Sequence, residues 1–176
     1  MIINQKDKFF IRDFIFLLRF KIVRIHFAIR LRSSKIAILR WSSKFYLSKF
    51  LIEVGSSTKI GESLFLPHPR CIIISDGVVI GDNVHIGQYV TIGGSFKKQK
   101  FIDGKIQTLP IIGNKVMIMP GAVIGGPVTI GDEVIIGANS VVTKDIPSNR
   151  IVIGQNNLLN KKIHVPSEGG RYEVIS

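Results

Sequence analysis

The chain has 176 residues, 45% of them apolar, and a formal net charge of +12. That length and apolar content exclude a wholly disordered chain and leave room for one domain with a core plus a short appendage. A single cysteine, Cys71, excludes an internal disulfide framework, and with no secretory signal in view the expected setting is the reducing cytoplasm.

Charge is concentrated at the start. Residues 1–52 carry 12 Lys or Arg against two acids, Asp7 and Asp13, whereas the rest of the chain carries 12 against 10 acids. This first segment reads as a basic amphipathic helical unit: one helix from Phe9 to Leu31, a break at "RSSK" (Arg32 to Lys35), and a second helix from Ile36 to Ile52. No apolar run approaches the ~20 residues of a membrane span. The leading expectation is a helical cap or subunit-contact element with a wet basic face. Contact with an anionic membrane surface is the second, which would place the protein at the inner face of the membrane. No nucleic-acid partner is expected, because no reader motif accompanies the charge.

From Glu53 onward a period of six takes over. "IGESLF" starts at Ile60 and "ISDGVV" at Ile74; "IGDNVH", "IGQYVT" and "IGG" run from Ile80 to Gly94. "IGNKVM", "IMPGAV", "IGGPVT", "IGDEVI" and "IGANSV" run from Ile112 to Val141. Six fits neither a helix nor an alternating hairpin strand, but it fits a coil with flat faces, each a short strand and a turn. The first residue of a unit should point inward, the small fifth residue should keep the interior narrow, and the second-position Gly should supply a positive φ at the turn. Such units stack as a solenoid.

The rhythm stumbles at "LFLPHPRCIIIS", where eight residues separate Leu66 from Ile74 and Pro67, His68, Pro69 and Arg70 fill the surplus. Two extra residues should make the coil bulge and present His68 outward. A long loop from Ser95 to Pro110 carries Lys97, Lys98, Lys100 and Lys105; it suits attraction of phosphates and equally a solvated surface. The coil then closes on "VVTKDIP" (Val141 to Pro147). The expected organisation is therefore a helical segment over 1–52, a coil domain over 53–157 with its loop at 95–110, and a tail over 158–176.

This pattern resembles the hexapeptide-repeat, left-handed parallel β-helix acetyltransferases, and within them the serine acetyltransferase-like proteins, including relatives that act in polysaccharide synthesis. The resemblance implies a mainly β fold, a left-handed parallel β-helix with an N-terminal α-helical segment, acetyl-CoA as co-substrate and a homotrimer, with trimers able to pair through the helices. It implies that His68 is the catalytic base and that Glu53 is the carboxylate orienting it, although Glu53 equally suits a helix-end carboxylate. It places a CoA contact at Gly94, with further contacts at Pro120 and Ala138. Gly93 and Gly94 together suit backbone donation to the thioester oxygen. An imidazole that titrates near neutrality is the group needed to take a proton from an attacking hydroxyl.

The serine enzymes carry Asp before the catalytic His and Arg-His before the proline ending the loop. Here those positions are Pro67, Thr108 and Leu109. The expectation drawn from this departure is a saccharide acceptor, in capsule, O-antigen or exopolysaccharide synthesis. The alternatives are serine O-acetylation and a non-enzymatic β-helix that binds a partner through its basic helices. "GQNNLL" (Gly154 to Leu159) retains only the Gly of the relatives' Gly-x-Pro-Ala. His85, at the outward last position of its unit, is a candidate second base; His26 and His164 are expected to be structural or solvated. No metal is expected, since His68 and His85 make only two ligands within the coil.

Overall fold

The computed structural model describes residues 21–160 other than residue 103. The first half of the helix expected from Phe9, most of the tail and His164 lie outside these residues. Helix α1 (Lys21–Leu31) buries Ile25, Ala28 and Ile29, an i, i+3, i+4 stripe, and α2 (Ala37–Ser48) buries Ser43 and Leu47. The break between them is fastened by Arg32, whose Nε donates to the Val54 carbonyl at 2.8 Å and whose Nη1 donates to the Arg40 carbonyl at 3.0 Å. Ile52, expected to end the second helix, instead opens the first strand.

The remaining chain winds into a left-handed β-helix of triangular section with three parallel sheets. The first face stacks β1 (Ile52–Val54), β3 (Ile72–Ile74), β6 (Thr91–Gly93), β11 (Val123–Gly125) and β14 (Val141–Val142). The second stacks β2 (Lys59–Ile60), β4 (Val79–Ile80), β9 (Ile111–Ile112) and β12 (Thr129–Ile130). The third stacks β5 (His85–Ile86), β10 (Met117–Ile118), β13 (Ile135–Ile136) and β15 (Arg150–Ile153); β16 (Asn157–Asn160) then lies antiparallel against β15. That last strand carries regular structure past residue 157, where the tail was expected to begin.

The register puts like on like. Ile74 lies over Ile92 and Ile92 over Ile124 on the first face, while Ile80, Ile112 and Ile130 align on the second. All six are buried, as are the fifth-position residues Val84, Val90, Val116, Ala122, Val134 and Ser140. Each fully buried Ile contributes roughly 1.5–3 kcal/mol, so the repeat itself supplies the core.

The second-position glycines do something other than expected. Positive φ falls two residues later, on Asn83 (55°), Lys115 (54°) and Glu133 (58°). The glycines serve close approach between coils: a Cβ on Gly81 would stand 2.7 Å from the Gly113 carbonyl oxygen, and one on Gly87 would stand 2.7 Å from the Pro120 nitrogen. Third-position side chains then tie coil to coil. Asp82 accepts from the Glu62 N–H at 2.7 Å, Asn114 from the Asp82 N–H at 2.9 Å, and Asp132 from the Asn114 N–H at 2.6 Å.

Candidate active site

The eight-residue beat is absorbed between Leu66 and Cys71. Leu66 and Pro69 are buried and Pro67 is half-buried, whereas His68 and Arg70 are exposed. The Arg70 N–H donates to the His68 carbonyl at 2.8 Å, closing a tight turn around the buried Pro69. Cys71 (φ 52°) then takes the conformation that Tyr89 (60°) and Asn139 (55°) take at the same corner of later coils. Pro69 therefore plugs inward while His68 projects from the edge between the third and first faces. Its imidazole has no hydrogen-bond partner among the described residues.

Pro120 and Ala138 lie on this same edge in higher coils. The Tyr89 N–H donates to the Arg70 carbonyl at 3.1 Å, the Gly121 N–H to the Gln88 carbonyl at 3.0 Å, and the Asn139 N–H to the Pro120 carbonyl at 3.0 Å. Gly93 and Gly94 lie elsewhere, at the edge between the first and second faces, where the loop leaves the coil. Gly93 is buried and its carbonyl accepts from the Gly126 N–H at 2.9 Å. Gly94 is exposed, and its N–H donates to no group among the described residues. Within one chain, then, the expected site residues fall on two edges separated by the first face.

Glu53 projects outward from β1, the end strand of that face, and shares no hydrogen bond with His68. It lines a cavity of about 330 Å³ between α2 and the first face, together with Arg32, Lys44 and Asp76. The Asp76 carboxyl is held below its usual range chiefly by the Ser57 N–H, which donates at 2.7 Å, and this outweighs the opposing effect of burial. No local pattern in the sequence marks this juxtaposition of two cations and two acids, because Arg32 and Asp76 lie 44 positions apart and meet only when the helices fold under the coil.

The Ser95–Pro110 loop is not irregular throughout. It carries an antiparallel hairpin, β7 (Lys100–Ile102) and β8 (Lys105–Gln107). Lys100 pairs with Asp145, which also accepts from the Thr129 N–H at 3.0 Å. Gln107 Nε2 donates to the Leu109 and Val128 carbonyls at 3.0 and 3.1 Å. Lys97, Lys98, Lys100 and Lys144 line a groove of about 580 Å³ between hairpin and coil, whereas Lys105 lines a separate groove with Gln107 and Leu109.

His85 faces outward from β5 with its ring 4.9 Å from that of Phe65, and burial holds its pKa below the ordinary 6.5. His26 in α1 is lowered likewise, by burial first and then by Arg30. Among the described residues no three His, Cys, Asp or Glu side chains are grouped so as to hold a metal.

Residues 110–144 match the bacterial transferase hexapeptide family (six repeats). Over 110 residues the chain is 38% identical to a serine acetyltransferase of Helicobacter pylori, covering 61% of each chain. It is 42% identical over 110 residues to a serine acetyltransferase of Staphylococcus aureus, covering 61% of this chain and 49% of that one. Among solved structures, the serine acetyltransferase of Neisseria gonorrhoeae superposes with a TM-score of 0.71 at 29% identity, covering 85% of this chain and 59% of that one. A serine acetyltransferase in complex with CoA superposes with a TM-score of 0.59 at 27% identity, covering 74% of this chain and 51% of that one. The chain is thus a hexapeptide-repeat left-handed β-helix protein. Within that class its likeness falls on the serine acetyltransferases, and it spans about half to three-fifths of the length of these relatives.

The expected saccharide acceptor is overturned by these likenesses, all of which fall on proteins named serine acetyltransferase. The inference rested on the absence of charge at three positions. In the structure Leu109 packs against the core and Pro67 is half-buried in the turn, so both positions answer to packing. Fixed charge of both signs stands instead around the cavity beside Glu53.

Proposed function

We propose that this chain is an acetyl-CoA-dependent serine O-acetyltransferase of the route to cysteine. The observation that carries the reading is its 38–42% identity, over 110 residues, to proteins named for that activity. The serine hydroxyl oxygen attacks the thioester carbonyl carbon while His68 takes its proton, the C–S bond breaks, and the proton passes to the leaving thiolate, giving O-acetylserine and CoA with no acyl-enzyme. The unengaged Gly94 N–H is the donor for the carbonyl oxygen as it gains charge. The lysine-lined groove beside the loop hairpin suits the CoA phosphates.

A trimer would bring the two edges of this site together. Three coils packed about an axis parallel to the stack would bring the His68–Pro120–Ala138 edge of one chain against the Gly93–Gly94 edge of the next. Ile73 and Val123, which face outward and are more than one-third exposed, are the side chains such packing would cover. The test is release of free thiol from acetyl-CoA in the presence of L-serine. Folded, CoA-binding protein that releases no thiol with L-serine overturns the acceptor.

A further inference from the structure

The two described helices close the foot of the coil, yet α2 turns much of its apolar surface outward. Ser43 and Leu47 face the protein, and on the opposite side Ile38, Trp41 and Phe45 follow an i, i+3, i+7 spacing and are 71%, 70% and 60% exposed. Trp41 and Phe45 stack with ring centroids 6.2 Å apart, and Lys49 Nζ sits 5.2 Å from the Phe45 ring centroid. The turn leading into the helix adds an exposed Ile36 beside an exposed Lys35. Isolated exposed apolar residues need no explanation, but a continuous aromatic and aliphatic stripe does.

Charge decides what the stripe fits. Between Lys21 and Ile52 there are eight Lys or Arg and no Asp or Glu. A second copy of the same face would bring like charge against like charge. A nucleic acid would satisfy the lysines and leave the stripe in water. An anionic bilayer surface satisfies both, taking Ile38, Trp41 and Phe45 into the boundary between headgroups and acyl chains while the lysines meet the lipid phosphates. None of the described helices is long and apolar enough to cross a membrane, so the contact is with the surface.

We propose that the outward face of α2 seats the protein on an anionic phospholipid surface. The inference is independent of the acetyl transfer proposed above, and neither falls with the other.

Trp41 is the only tryptophan of the chain, so its emission reports this face alone. Adding vesicles of phosphatidylcholine mixed with phosphatidylglycerol to the full chain should blue-shift that emission and carry the protein into the vesicle pellet. Vesicles of phosphatidylcholine alone should do neither. The substitutions K35Q and K49Q together, neither residue belonging to the acetyl-transfer machinery, should weaken partitioning by about 25-fold, a factor of about five for each lysine charge removed. Replacing Phe45→Ser should weaken it while thiol release is retained. An emission maximum indifferent to anionic vesicles overturns the proposal. So does a blue shift that follows protein concentration without lipid, which assigns the face to a second copy, or one that follows added DNA in place of vesicles. The emission of the unsubstituted protein keeps the test decisive if a variant fails to fold.

Discussion

Lys100, in the hairpin that leaves the third coil, pairs with Asp145 in the fifth, so the inserted loop is pinned two coils above its point of departure. Burial tends to raise the Asp145 carboxyl, but hydrogen bonds from Lys100 and the Thr129 N–H, with the Lys100 charge, bring it below its usual 3.8. A carboxylate depressed in the folded state adds stability above its unfolded pKa and loses it as pH falls through the folded one. The tether should therefore hold at neutral pH and release only in acid, below the ordinary carboxylate range. Asp145→Asn should release it at neutral pH, speeding amide exchange across Lys100–Gln107. Because the pair is exposed, global stability should change by less than about 1 kcal/mol. Unchanged exchange in the hairpin would remove the tether.

Close approach at the second-position glycines makes a paired prediction. Gly81→Ala forces a methyl to within 2.7 Å of the Gly113 carbonyl oxygen and should cost about 1–3 kcal/mol, several degrees in Tm. Gly125→Ala meets nothing within 4 Å and should melt close to the parent. Equal losses at both sites would mean that backbone freedom, not contact, sets the requirement.

His68→Ala should lower thiol release by roughly 10²–10⁴-fold at saturating acetyl-CoA, the range for loss of a general base. His85→Ala, which removes a ring packed on Phe65, should leave turnover within a few-fold of the parent. Retention of full turnover by His68→Ala would end the proposed mechanism.

The groove beside the hairpin predicts a binding effect. Lys98→Ala with Lys144→Ala should raise KM for acetyl-CoA by about tenfold and leave kcat near its starting value, since the phosphates lie away from the reacting carbonyl. Acetyl-pantetheine, which lacks the nucleotide, should be used equally by parent and variant. A fall in kcat with unchanged KM would contradict the assignment.

His26 and His85 should make stability sensitive to mild acid. Burial favours their neutral forms, so the unfolded chain takes up protons first as pH falls below 6.5, and stability declines through that window. Urea midpoints should be lower at pH 5 than at pH 7, and His85→Gln should reduce the difference. No reduction would place the effect elsewhere.

The coil was legible because one requirement, an inward aliphatic at every sixth position, is repeated along the chain. Its violation at Leu66–Ile74 was legible for the same reason, and the structure does project His68 from the corner that the surplus residues form. What escaped was whatever depends on contact between coils. Glycine at the turn was read as local torsional need, but Asn83, Lys115 and Glu133 take the positive φ and Gly81 is small because another backbone lies against it. The loop appeared as a lysine-rich run, since nothing in residues 95–110 announces a partner at Asp145. Similarly, Pro67, Thr108 and Leu109 spoke against an amino-acid acceptor only as long as charge was sought at those three positions. Arg32, Lys44, Glu53 and Asp76 meet by folding, and no local pattern marks them.

A stack of identical parallel coils has no intrinsic length: each added turn presents the edge that the next one needs, and two molecules meeting end to end could continue the same ladder into a fibre. β16 breaks that translational symmetry. Running against β15, it presents an incoming coil on the third face with a strand of opposite polarity and offset side chains, while Arg32 and the helices occupy the other end by binding the Val54 carbonyl. A core built on endless repetition is thus bounded, among the described residues, by a helical layer at one end of the stack and an antiparallel strand at the other, neither of which offers the parallel edge the repeat needs.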